Sequence, residues 1–402
     1  MIDKRFEEIG AEDVQRLQAN GVSESRSLDY KQALPGGTDD DRKEFLADMS
    51  SLANTVGGDL VYGVVEVRDN GRATGVPERI DGLAGAIADA ETLRLENMLR
   101  DGIAPRLPGI RLKWVPGFPQ GPVLIIRVPR SWTGPHMVTF KQHSRFYARN
   151  SGGKYALDVF ELRQAFLGSG SLRERAREFR AERLGRISGG DTPVALTSSA
   201  LVCVHAIPHA SFAGAGDIDL LLAANQGDTL APLYSRGRSW TFNIDGFVTF
   251  CPTAEGPSIS YLQIFRNGVV ETVSSALVGR RGEDDRLSIP SLTLANELEG
   301  FLGRARRLMT GLGVEPPASL FVSLLGVRGA ELGLSQRLTF YRDMHATPLD
   351  RDNLLFRDLL LVDWDGGDTR TLLKPLLDEV WQAAGLARCF DYDDQGNWNP
   401  SR

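Results

Sequence analysis

A chain of 402 residues has room for two or three domains, each with its own core. Its 42% hydrophobic and 24% charged content excludes the disordered and fibrous classes. The formal net charge of −6 excludes a globally basic polyanion binder, although local charge rather than the sum sets the field at a ligand. No apolar run approaches the roughly 18 residues of a membrane span, and Met1 to Gly10 lacks the pattern of a secretory signal. Three widely spaced cysteines, Cys203, Cys251 and Cys389, argue against a disulfide framework, so a reducing cytoplasm and no membrane partner are expected.

In chain order, residues 1–20 read as a polar helical lead-in. Ser27 to Lys31 reads as a strand, followed by a turn rich in Pro35, Gly36 and Gly37. Thr38, or one of Asp39 to Asp41, then caps a helix whose apolar positions Phe45, Leu46, Met49, Leu52 and Ala53 keep helical spacing. Asn54 to Gly58 stops that helix. The apolar run Leu60 to Val65 predicts one strand over 59–67 covered on both faces, and Asp69-Asn70-Gly71 turns the chain into Ala73 to Val76. A helix near 85–100, strands near 110–116, 123–128 and 146–149, and a helix near 158–167 complete the domain.

Residues 171–187 predict a charged connector helix carrying six arginines against Glu174, Glu178 and Glu182, either a solvated spacer or a basic helix that touches a polyanion. Gly189-Gly190-Asp191-Thr192-Pro193 marks a boundary. Beyond it come apolar segments at 200–207, 218–223, 246–251 and 259–273, the last turning at Arg266-Asn267-Gly268. Helices at 291–312 and 371–385 and strands at 319–326 and 357–363 finish an α+β domain. The expected division is a lead-in over 1–20, an α/β domain over 21–168, the connector over 169–190 and a separate α+β domain over 191–402.

A strand, helix, strand order with so short a crossover predicts that the strands carrying Asp29 and Glu66 are parallel and adjacent, with both acids near the carboxyl edge. Converging carboxylates repel, and stay together when a cation or a proton is shared. Oxygen-rich Mg²⁺ or Mn²⁺ sites are built this way, and such ions stabilise the oxygens of a phosphodiester under attack. Lys31 adds positive charge for the phosphate. Glu24, five residues before Asp29, joins only if the chain bends around Ser25-Arg26.

The stretch 127–154 holds Arg127, Arg130, Lys141, Arg145, Arg149 and Lys154 without one acid, interleaved with Trp132, Phe140, Phe146 and Tyr147. Cations neutralise phosphates and aromatics stack on bases, a mixture suited to RNA or single strands; the bland alternative is strand core with solvated arginines. Cys203, His205 and His209 look faintly metal-like, but their apolar context fits a buried structural role. There is no phosphate-loop signature and no nucleophile elbow.

Four pieces together resemble the Schlafen AlbA-type domain over about residues 20–168: Glu24-Ser-Arg-Ser-Leu-Asp29-Tyr30-Lys31, the helix into Ala53 to Gly58, Leu60 to Glu66, and Phe146 to Gly152. The resemblance implies an α/β Schlafen AlbA-type domain followed by a separate α+β domain. It also implies a metal-dependent endoribonuclease acting on tRNA-like or single-stranded RNA, in antiviral defence or a stress response. Under it the metal and catalytic acids are Glu24, Asp29 and Glu66, assisted by Lys31, with Mg²⁺ or Mn²⁺ as cofactor. RNA would lie on Arg127, Arg130, Lys141, Arg145, Tyr147, Arg149 and Lys154. Asp29 and Glu66 depart from the animal nucleases, which have Glu and Asp there, and only one copy of the domain is present, so a homodimer would supply the second lobe. Competing readings are a DNA- or RNA-binding regulator without chemistry, and a defence component that senses a nucleotide or a partner through residues 192–402.

Overall fold

The computed structural model describes residues 1–402 except 3, 5, 151–152, 214–216, 236–238, 282–285, 336–337, 340–343, 365–366 and 401–402. Ser151 and Gly152 of the Phe146 to Gly152 motif therefore lie outside the described residues. The chain divides into two compact units, Met1–Ser171 and Leu172–Arg402.

In the first unit a 3₁₀ turn (Phe6–Glu8) and α1 (Ala11–Ala19) precede β1 (Leu28–Lys31). Far from being a polar lead-in, this segment buries Ile2, Phe6, Ile9 and Val14 in a cluster with Leu28, Tyr30 and Val61. Next come α2 (Asp39–Ala53) and β2 (Gly58–Tyr62). Thr38 caps α2, its hydroxyl accepting from the Asp41 amide while Asp41 reaches back, which closes a capping box. β1 and β2 are parallel and adjacent, with Asp29 opposite Leu60.

The single strand expected over 59–67 is two. The chain breaks at Gly63 (φ +98), and β3 (Val64–Asp69) leaves to form a separate hairpin with β4 (Arg72–Ile80). A side chain at Gly63 would meet the Gly82 backbone at 2.9 Å, so apolar character alone could not reveal this break.

After α3 (Ala88–Gly102) and the short β5 (Ile103–Ala104) come β6 (Arg111–Phe118) and β7 (Gly121–Val128), which complete a four-stranded sheet in the order β1-β2-β7-β6. A second sheet joins β5 to β8 (Met137–Phe140), β9 (His143–Asn150) and β10 (Gly153–Ala156). The first sheet is covered on both faces. Val123 and Ile125 of β7 join the N-terminal cluster, whereas Leu124 and Ile126 join α2 and α3, the period of two that a strand requires. β1 alternates likewise: Leu28 and Tyr30 face the N-terminal cluster, so Asp29 and Lys31 are directed to the α2 side.

The helices expected at 158–167 and 171–187 are one, α4 (Val159–Ser188), and the units divide within it. Its second half is no solvated spacer. Ala176, Leu184 and Ile187 are buried against β11 (Leu201–Pro208) and its neighbours in the second unit.

That unit is built on an eight-stranded antiparallel sheet. It comprises β11, β12 (Ser239–Phe242), β13 (Gly246–Pro252), β14 (Ser258–Phe265), β15 (Val270–Ser274) and three strands nearer the carboxyl end. The segment 218–223, read above with the strands, holds instead a short helix, α5 (Leu220–Ala224), capped by Asp219. β16 (Gly279–Arg281) and β17 (Arg286–Pro290) lead to α6 (Ser291–Gly311) and β18 (Ala318–Leu325); β19 (Glu331–Gly333), β20 (Leu354–Leu355), β21 (Leu359–Leu361) and α7 (Thr369–Ala383) follow. α6 and α7 cover one face of the large sheet through Leu294, Leu298, Leu373 and Trp381. His205 and His209 are buried on β11 and just beyond it, His205 against Glu271 and His209 against Ser319, which is structural use. Among the described residues no helix is long and apolar enough to cross a membrane.

Candidate functional site

The bend that Glu24 needed is present. Ser25 and Leu28 pair with each other across a tight turn, Ser25 N–H donating to Leu28 O at 2.9 Å, so Glu24 comes back beside Asp29. Glu24 Oε1 accepts from the Tyr30 amide at 2.7 Å, and its carboxyl lies within hydrogen-bond reach of Asp29. Glu66, on the β3–β4 hairpin, accepts the Gly75 amide on Oε2 at 2.9 Å. Gly75 (φ +76) also takes the Glu24 amide on its carbonyl at 2.7 Å, and a Cβ there would stand 3.2 Å from Glu24 Cβ. Only a glycine lets the hairpin close down on Glu24 this tightly. The three acids are thus drawn to one place.

Asp29 is the acid of the three that meets cations. Asp29, 3% exposed, is clasped by Lys31 Nζ on Oδ1 at 2.8 Å and by Arg149 Nη2 on Oδ2 at 2.5 Å. Burial pushes the Asp29 carboxyl up, but Lys31 and Arg149 outweigh burial and hold it below its ordinary value. Glu24 shows the opposite balance: burial first, then the negative charge of Asp29, push it up to about 7. Lys31 also reaches Asp48 Oδ2 at 3.6 Å, and Lys154 meets Asp48 Oδ1 at 2.8 Å. Burial holds the Asp48 carboxyl above its ordinary value in spite of both lysines. From Asp29 onward the charges alternate along the row Asp29–Lys31–Asp48–Lys154, and Glu24 stands beside Asp29 as a second acid at the half-buried end.

This arrangement does not fit a divalent ion. Among the described residues no three His, Cys, Asp or Glu side chains form a group that could hold a metal. The physical reason is the occupancy just described: Asp29 is engaged by two cations, and Glu24 and Glu66 each accept a backbone amide.

The basic strip is mostly consumed inside the fold. Arg127, expected on RNA, is buried: Nε and Nη2 grip Asp59 at 2.7 and 2.8 Å, while Nη1 and Nη2 donate to the carbonyls of Lys4 and Ile2. It anchors the N-terminal segment and offers nothing to a phosphate. Arg149 is likewise buried on Asp29, so it belongs to the acid cluster and not to a surface strip. Lys154 pairs with Glu44 as well as Asp48, and Lys141 pairs with Asp39. Arg130 stacks on Trp132 at 3.9 Å, and the Tyr147 hydroxyl bonds to His143 Nε2 at 2.7 Å. Arg130, Lys141 and Arg145 are the strip residues left toward solvent, Arg145 being exposed. The stretch has no acids of its own because α2 and the first sheet supply them.

Several working residues escaped the sequence reading. Asn54 donates to the carbonyls of His136 and Tyr147, both at 2.9 Å, and accepts the His136 amide at 2.7 Å, so it staples the end of α2 to β9 and to the residue that leads into β8. Thr55 Oγ1 accepts the Arg149 amide at 2.9 Å and sets that arginine toward Asp29. Asp48 could have been found: an acid between Phe45, Met49 and Leu52 on the core stripe of α2 demands a buried cation.

A family model described as Schlafen, AlbA_2 matches residues 24–158, from the first acid to the strand after Arg149. Residues 24–158 are thus similar to the Schlafen AlbA_2 family, and the stretch is called the AlbA_2 domain on that similarity. Solved structures share low identity with the chain. The DIP2311 protein from Corynebacterium diphtheriae is 20% identical, over 36% of this chain and 26% of its own, with a TM-score of 0.24. The N-terminal domain of an ATP-dependent DNA helicase RecG-related protein from Nitrosomonas europaea is 22% identical, over 31% of this chain and 74% of its own, with a TM-score of 0.23. The present chain thus spans about a quarter of the DIP2311 protein, 26% of its length. No curated protein matches the chain. All the acids of the cluster and both cations on Asp29 fall inside the AlbA_2 match.

Proposed function

We propose that the AlbA_2 domain binds nucleic acid, with RNA as its substrate, and that phosphodiester cleavage takes place at the acid cluster. One observation carries this reading. Glu24, Asp29 and Glu66 converge beside Lys31 and Arg149, and Glu24, pushed up to about 7, is poised to give or take a proton at neutral pH. Lys31, at 31% side-chain exposure, is the cation of the cluster that can turn from Asp29 to an incoming phosphate. Arg130, Lys141 and Arg145 would hold the flanking backbone.

The test is cleavage of tRNA and of an unstructured RNA by wild type, Glu24→Gln and Asp29→Asn, in chelator and with Mg²⁺ or Mn²⁺. Loss of cleavage in both variants is expected. Activity confined to Mn²⁺ or Mg²⁺ would mean that Asp29 releases its cations for the ion; activity surviving chelator would assign the chemistry to the side chains alone. Equal cleavage by wild type and Asp29→Asn would end the catalytic reading.

The full engagement of Asp29 favours a second reading, a binder without chemistry in which the acids are structural. It expects no cleavage under any of these conditions and binding that falls with salt. A second copy of the chain completing a two-lobed clamp would appear as a dimer in mass photometry on adding RNA.

A further inference from the structure

The second unit contains a cavity of about 720 Å³ that the acid cluster does not use. Arg177 and Arg180 of α4 form one wall, Arg351 and Arg357 another, and Leu354 and Leu355 of β20 supply apolar surface. The remaining acids of the lining, Asp358 and Glu379, are already spent. Asp358 takes Arg173 at 2.6 Å and Arg177 at 3.2 Å, and Glu379 takes Arg357 at 2.5 Å.

Two guanidinium groups are left over. Arg180 places its guanidinium carbon over the Phe321 ring, 4.7 Å from the ring centre; its contact to the Phe356 carbonyl is long, 3.4 Å, and its buried Nε has no hydrogen-bond partner. Arg351 is 73% exposed and reaches Asp350 only at 3.9 Å. Burial pushes the Arg180 guanidinium below its ordinary value, as expected of a cation without an adequate counter-charge. A half-buried arginine donor with no acceptor is costly unless something supplies one.

We propose that this cavity binds a nucleotide, with Arg180 and Arg351 on its phosphates and its base against Leu354 and Leu355. A phosphate fits the planar donor fork of arginine, which a lone carboxylate of the chain does not occupy here. The volume lies within the range of roughly 300–1,000 Å³ used by small-ligand sites and far exceeds what a bare phosphate needs. The apolar wall suits a flat ring better than a sugar rich in hydroxyls. All of these residues belong to the second unit, so the site stands whether or not the AlbA_2 domain cleaves RNA.

Isothermal titration of the full chain with ADP, AMP, pyrophosphate and adenosine tests the idea. ADP is expected to bind saturably and to weaken as salt rises; adenosine should bind at least about tenfold more weakly. Arg351→Ala, an exposed position that should not disturb folding, should weaken ADP by roughly five- to tenfold, and Arg180→Met by more. Absence of saturable binding by every probe, or equal ADP affinity in wild type and Arg351→Ala, overturns the proposal. Pyrophosphate binding as tightly as ADP overturns the assignment of the base to the leucine wall.

Discussion

Asp29 in the first unit and Glu271 in the second are both buried carboxylates held by an arginine, and they are not equivalent. Glu271 is 0% exposed and fully served: Arg183 forks onto both its oxygens at 2.9 Å, His205 adds 3.0 Å and the Tyr261 hydroxyl 2.9 Å. Burial would raise it, but these partners outweigh burial and hold it down to about 2. Asp29 has an arginine as well, yet its other neighbours are a half-buried lysine and an acid that titrates near neutrality. A closed ion pair fixes a core, whereas one that opens through Glu24 and Lys31 to solvent can exchange protons and partners. That asymmetry, rather than the number of charges, is why the proposed chemistry is placed at the Asp29 cluster and not at Glu271.

The comparison breaks most visibly at Glu271. Glu271→Ala leaves Arg183 buried without a counter-charge and His205 Nε2 without its partner, so unfolding by urea should register a loss of about 3–5 kcal/mol while RNA binding per folded molecule stays unchanged. Asp29→Ala should cost less, about 2–3 kcal/mol, because Lys31 can turn to water, and it should also remove cleavage. If the two losses are equal, the Asp29 cluster is as closed as the other.

The pH response sharpens the contrast. Glu24 is raised from an ordinary 4.5 to about 7, so the folded state binds its proton more tightly than the unfolded state. Its stabilising contribution is complete below pH 4.5 and is lost as pH rises through 7. Solvent screening at this partly exposed site reduces the amplitude. Glu24→Gln should flatten the fall in thermal midpoint between pH 5 and 8. Glu271 has the opposite sign, with stability lost only as pH falls through about 2. The smallest effect is expected at Arg145→Ala, which should leave stability within about 0.5 kcal/mol and weaken RNA binding roughly threefold at low salt. An unchanged binding isotherm would move the RNA away from β9.

Much of this architecture was readable beforehand because periodicity and caps are local. The α2 stripe, the Thr38 cap, the parallel β1–β2 pair and the hairpin turning at Arg266-Asn267-Gly268 follow from spacings of a few residues. The acids were legible only through their order along the chain, since the turn at Ser25–Leu28 that unites Glu24 with Asp29 leaves no mark in hydrophobic pattern. The basic strip misled for a related reason. A run without acids says nothing about acids arriving from elsewhere in the fold, and Asp29, Asp39, Glu44, Asp48 and Asp59 all do. The break at Gly63 was hidden within an unbroken apolar run, where neither side of the glycine changes character.

Gly63 carries one more implication. It mounts the third acid on its own arm: Glu66 and Gly75 ride together on β3 and β4, whereas Glu24 and Asp29 stand at β1. The cluster is thereby assembled from two runs of backbone that part company at Gly63, and the hairpin is seated by Val64 and Ile80 in the N-terminal core, so the position of Glu66 depends on how that core packs.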